Sequence, residues 1–117
     1  MIKPYEEGLR SAFLVRSEHL NHQGHLFGGE MMAQIDTVAF CVLRAEYPDK
    51  MFVTRAAEMS FERPANLGDV VSFEARILNL GNTSIQVEVA GEANGNPICS
   101  ALMTYVNIGP DGRKAPI

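Results

Sequence analysis

The sequence predicts an α+β domain in which a five-stranded antiparallel sheet wraps one long central helix. Three observations carry this expectation. A single segment, from Gly28-Gly29 to about Glu46, repeats its apolar residues at helical spacing. A short apolar run precedes it, and four stretches rich in Val, Ile, Phe and Thr follow it. The helical segment is also apolar around most of its circumference, and a helix of that kind sits at the centre of its protein rather than on the surface.

Ala12-Phe13-Leu14-Val15 reads as a first strand, because the polar Arg16, Ser17 and Glu18 end the apolar run and open a loop that extends from His19 to Phe27. The helix then begins at Gly28-Gly29 and stops at Tyr47-Pro48-Asp49, where proline cannot continue it. Strands follow near residues 51 to 61, 69 to 80, 83 to 93 and 97 to 108. Their separators are turn signals: Arg63-Pro64-Ala65-Asn66-Leu67-Gly68-Asp69, then Leu80-Gly81-Asn82, then Asn94-Gly95-Asn96-Pro97. Ile85-Gln86-Val87-Glu88-Val89 alternates as an antiparallel strand with one wet face does.

A chain of 117 residues is one domain, here called 1–117, with a single core. Its 46% apolar and 21% charged content excludes a disordered tail and a disulfide scaffold, so function has to come from a compact site. A net charge of -4 with scattered Lys and Arg leaves no footprint for nucleic acid. Cys41 and Cys99 lack CxxC spacing and read as free thiols in a reducing compartment. The first residues, Met1 to Glu7, carry no apolar leader, and no stretch approaches the ~18 to 20 apolar residues of a membrane span, so a cytoplasmic protein without a membrane partner is expected.

One residue breaks the helical pattern. At about 100° per residue, Thr37, Glu30, Cys41, Gln34 and Arg44 form a polar sector, while Val38, Met31, Val42, Ile35, Ala39, Met32, Leu43, Phe40 and Ala33 fill the rest. Asp36 lies inside the apolar arc, between Leu43 and Phe40. Burying an unpaired carboxylate costs several kcal/mol, so Asp36 needs a partner, a raised pKa or a cleft that uses it. The alternative to a functional carboxylate is a structural one, paired with Arg55, Arg63 or a backbone N–H.

Ahead of the helix, Asn21-His22-Gln23-Gly24-His25-Leu26-Phe27-Gly28-Gly29 sets small residues where unpaired backbone N–H groups project from the N-terminus. Such amides suit a developing oxyanion; a tight turn with close packing accounts for two glycines equally well. The whole string is more specific. Asn21, Gly24, Phe27-Gly28-Gly29 and Asp36 together resemble the signature of hotdog-fold acyl-CoA thioesterases, in the broad-specificity acyl-CoA hydrolase branch. The resemblance continues through Met59-Ser60-Phe61, Arg63-Pro64, Gly68-Asp69-Val70-Val71 and Asp111-Gly112-Arg113, nearly the full chain.

The resemblance implies a hotdog fold, subunits paired as a homodimer at least, and sites at the subunit interface; the sequence leaves a dimer, a tetramer and a hexamer equally open. It implies that Asp36 activates water against the thioester of an acyl-CoA substrate. It further implies that the Gly29 N–H stabilises the oxyanion and that Asn21, from the partner, orients water or carbonyl. Phe27 and Gly28 would then line the substrate. No cofactor or metal is required, because a thiolate leaves readily and a carboxylate with backbone donors suffices. No Gly-x-Ser-x-Gly elbow marks a serine hydrolase. His19, His22 and His25 recur every three residues but lack the usual pattern of a zinc site.

For the CoA phosphates, the turn Gly81-Asn82-Thr83-Ser84 resembles the family's CoA-contacting loop, and Arg63, Arg113 and Lys114 are further candidates. Two other functions remain compatible with the sequence. One is a non-catalytic acyl-CoA-binding module; the other is a hydratase or dehydratase on the same fold, which would pair Asp36 with one of the histidines.

Overall fold

The computed structural model describes residues 8–117; the acidic segment 1–7 lies outside the described residues. Strand β1 (Leu9–Leu14) leads through a short 3-10 turn to helix α1 (Gly28–Glu46). Strands β2 (Phe52–Phe61), β3 (Val70–Leu80), β4 (Ser84–Ala93) and β5 (Asn96–Asn107) follow. All five join one sheet in the order β1-β3-β4-β5-β2, every pair antiparallel.

Alternation decides which face of the sheet meets α1. Val71, Phe73 and Ala75 of β3, Ile85, Val87 and Val89 of β4, and Ala101, Met103 and Tyr105 of β5 are buried, whereas Ser72, Ala90 and Ser100 are exposed. Against the inward rows α1 buries Met31, Ile35, Val38, Ala39, Val42 and Leu43. Each fully buried Val, Leu, Ile, Phe or Met contributes about 1.5–3 kcal/mol, which fixes the helix on the sheet far more firmly than helix propensity does. The β4–β5 hairpin turns on Asn94-Gly95, both at positive φ (54° and 78°), as a two-residue turn between twisted strands requires.

Two expectations need correction. The first strand is Leu9–Leu14 rather than residues 12 to 15: Val15 has left the sheet and donates its N–H to the Asp69 carbonyl. The polar Arg10 and Ser11 concealed the strand's start because β1 is an edge, where side chains stay in water and Arg10 reaches Glu74 at 3.6 Å. The second concerns burial around α1. Met32 and Ala33 are exposed, and Phe40 and Asp36 are half-buried, because the sheet of one chain covers a single face of the helix. Strand β2, the other edge, is exposed along most of both faces, including Val53 and Phe61.

Candidate active site

The exposed flank of α1 carries Gly29, Met32, Ala33, Asp36 and Phe40, one turn after another. Asp36 is held at its centre. Its Oδ1 accepts a hydrogen bond of 2.9 Å from the Tyr105 hydroxyl, and Tyr105 itself is fully buried in β5. Phe40, one turn further along α1, packs edge-on against the Tyr105 ring with centroids 4.8 Å apart. The partner is thus a phenol from β5, not Arg55, Arg63 or a backbone N–H. Burial first, and then the hydrogen bond and the charge of Asp36, hold the Tyr105 phenol far above its ordinary pKa. Tyr105 therefore stays protonated and donates.

At the mouth of α1 the chain is pinned by backbone bonds. Leu26 donates to the Ala65 carbonyl at 2.8 Å and Phe27 to the His19 carbonyl at 2.8 Å. The Phe27 carbonyl then accepts from Glu30 and Met31. Among the described residues, the N–H groups of Gly28 and Gly29 find no acceptor, as expected in the first helical turn. Gly29 is exposed, and a Cβ placed on it would lie 2.5 Å from Cε1 of the Phe27 ring. A hollow of about 230 Å³ adjoins this mouth, lined by Leu26, Gly28, Met31, Phe61, Arg63 and Pro64 among others.

Asn21 shapes the loop that carries this mouth. Its Oδ1 accepts from the backbone N–H groups of Gln23 (2.9 Å) and His25 (3.1 Å), and its own N–H donates to the His25 carbonyl. The three histidines diverge. His19 takes the Arg16 N–H on Nδ1 and turns Nε2 toward Glu30 at 3.9 Å; His25 pairs with Asn66 at 2.8 Å; His22 is exposed.

The candidates for CoA separate into two places. The turn Gly81–Ser84 closes on itself through Gly81 N–H to the Ser84 carbonyl, and the C-terminal segment is tied to it by Ile117 N–H to the Asn82 carbonyl. Arg113 and Lys114 lie in that segment, beyond the end of β5. Arg63 instead bonds the Ile98 carbonyl near the start of β5, at the opposite end of the sheet. A hollow of about 650 Å³ lies between residues of β1, β3, β4 and β5 and is lined by neither Asp36 nor the glycines of the helix mouth. Its size marks no chemistry, whereas a half-buried carboxylate on a fixed donor does. Cys99, which borders it, has its thiol pushed up to about 11 chiefly by burial and is a poor nucleophile.

The thioesterase superfamily model matches residues 23–100 of the chain, a span that includes the helix mouth, Asp36 and most of the sheet. The chain belongs to this superfamily. It is 36% identical over 107 residues to the acyl-CoA thioester hydrolase YciA of Salmonella typhimurium, covering 83% of this chain and 80% of that protein. The fold matches a hexameric hotdog-fold thioesterase of Campylobacter jejuni with a TM-score of 0.79, 33% identity, and coverage of 92% of this chain and 87% of that one. It also matches a hexameric broad specificity acyl-coenzyme A thioesterase with a TM-score of 0.82, 27% identity, and coverage of 94% and 86%. The architecture of α1 against the five strands is the hotdog fold.

Proposed function

We propose that this thioesterase-superfamily chain hydrolyses acyl-CoA thioesters to free CoA and a carboxylic acid, with Asp36 as the general base. The observation that carries the reading is a carboxylate held by a buried phenol on an otherwise apolar, open helix flank, on a chain that is 36% identical to an acyl-CoA thioester hydrolase. Asp36 takes a proton from water as the water oxygen attacks the thioester carbonyl carbon. The carbonyl oxygen becomes an oxyanion that accepts from the Gly29 N–H, and collapse breaks the C–S bond and releases CoA thiolate.

In this reading the two groups come from different chains. Gly29 and Asp36 are seven residues apart on α1, about 10 Å along the axis. Helical N–H groups point toward the N-terminus, so that of Gly29 is aimed away from its own Asp36. A second copy related by a two-fold axis supplies the missing half, bringing its Asn21 loop, Phe27, Gly28 and Gly29 to this Asp36. The exposed flank of α1 and the unpaired edge β2, which leaves Val53 and Phe61 exposed, offer surface for that contact. The turn Gly81–Ser84 and Arg113 then offer backbone amides, hydroxyls and a guanidinium to the CoA phosphates, with Arg63 available at the helix mouth.

Release of free thiol from a panel of acyl-CoAs, followed with a thiol reagent, tests the activity. Turnover above the spontaneous rate on at least one chain length is expected. Binding without thiol release would reassign the chain as an acyl-CoA-binding module, and a change in enoyl absorbance without thiol release would make it a hydratase.

The oxyanion assignment has its own test. Gly29→Ala should lower kcat about tenfold or more while leaving affinity for free CoA unchanged, because its Cβ displaces the Phe27 ring at the amide and touches nothing near the phosphate groups. The ring is largely exposed and free to swing, so the helix tolerates the methyl group. Equal loss of turnover and CoA affinity would make Gly29 a packing residue.

A further inference from the structure

We infer that Tyr105 is a positioning residue for the hydrolytic reaction, one that acts through Asp36; the inference rests on the reading of Asp36 as the base. A carboxylate has two oxygens, and they are used differently here. Oδ1 accepts from the Tyr105 hydroxyl at 2.9 Å, while Oδ2 accepts from no protein group among the described residues. Tyr105 cannot move to follow the carboxylate. Its ring is fully buried on the inward row of β5, paired through the backbone with Ile85 of β4 and Thr54 of β2, and packed edge-on by Phe40.

The hydroxyl is consequently a fixed point on the sheet, and the bond ties a helix side chain to it across the core. An aspartate on a half-exposed helix flank otherwise samples several χ rotamers, most of which aim neither oxygen at a substrate. Anchoring Oδ1 leaves Oδ2 as the oxygen that faces the open flank and receives the proton. Orientation of this kind acts on the chemical step, since a misplacement of about 1 Å can cost about a hundredfold in rate. It does not act on the binding of CoA, whose proposed contacts lie at the Gly81–Ser84 turn.

Kinetics of Tyr105→Phe test the inference. The expected result is a kcat lower by roughly ten- to a hundredfold with KM within about twofold of wild type, and no further loss when the change is added to Asp36→Asn. Phe keeps the ring and its packing, and the thermal midpoint reports whether the fold is retained. If that variant melts early, 4-aminophenylalanine and 4-methylphenylalanine at position 105 make the same comparison, since they fill similar space with and without a donor. The amino side chain should restore turnover and the methyl one should not. A slow Asp36→Asn beside an unimpaired Tyr105→Phe overturns the positioning role alone. An equal loss from Tyr105→Phe on the wild-type and Asp36→Asn backgrounds also overturns it, because the effect then bypasses the carboxylate. Near-wild-type turnover of Asp36→Asn overturns the base assignment, and the role of Tyr105 with it.

Discussion

Asp36→Asn is expected to lower thioester turnover by at least about a hundredfold while the fold and the oligomer persist. The amide is isosteric with the carboxylate, and its oxygen can still accept from the Tyr105 hydroxyl, so the contact that ties α1 to β5 survives. What disappears is the oxygen that, in the proposed mechanism, takes a proton from water. Thiol release under saturating acyl-CoA measures the loss, with the thermal midpoint and the oligomer size as controls. Turnover close to wild type, with both controls unchanged, would instead give Asp36 the structural task of satisfying a buried phenol. A small effect is not expected from geometry, because Asp36 is the one carboxylate on a flank otherwise made of Gly29, Met32, Ala33 and Phe40.

Much of the fold was legible because punctuation and periodicity agree. Gly28-Gly29 and Tyr47-Pro48 bracket the helix at the bounds observed, and the Asn94-Gly95 turn sets the β4–β5 register at Ala93 opposite Asn96. The start of β1 was hidden because an edge strand need not alternate, and Arg10 and Ser11 look like loop. The helical wheel placed Asp36 correctly in an apolar arc but could not separate the arc covered by the chain's own sheet from the part left open. That division follows from the sheet's curvature and extent, which no single element encodes.

The candidate site divides in the same way. The candidates from Asn21 to Asp36 were legible because they lie on one loop and the helix it opens, which are local. Tyr105 was missed because it meets Asp36 only through the packing of β5 on α1. A signal for it does exist in the sequence. On β5 the alternation puts Cys99, Ala101, Met103 and Tyr105 on the inward row, and a buried tyrosine needs an acceptor for its hydroxyl. An apolar-arc carboxylate and a core-row phenol are each in want of a partner. The wide separation of Arg63 from Arg113 was likewise beyond sequence, since it depends on which end of β5 each loop adjoins.

Mixing two inactive variants provides the sharpest test of a site divided between subunits. Asn21→Ala should disable the helix-mouth half, because Asn21 Oδ1 holds the Gln23 and His25 N–H groups of the loop that presents Phe27, Gly28 and Gly29. Asp36→Asn disables the other half. In a heterodimer of the two variants, one site receives both lesions and the other receives an intact helix mouth and an intact carboxylate. Random reassociation of equal amounts makes half of the dimers heterodimers, each with one good site of two, so roughly a quarter of wild-type turnover should return. The result is the same whether Asn21 acts by its amide on the substrate or by shaping its loop, since either defect travels with the helix mouth of its own chain. If each site instead drew both residues from one chain, every site in the mixture would carry a lesion and turnover would stay at the level of the single variants. Differently tagged subunits establish that exchange has occurred. Exchange without recovery, from two variants each nearly inactive alone, would sink the divided site, and the axial distance and N–H direction that separate Gly29 from Asp36 on α1 make recovery the expected result.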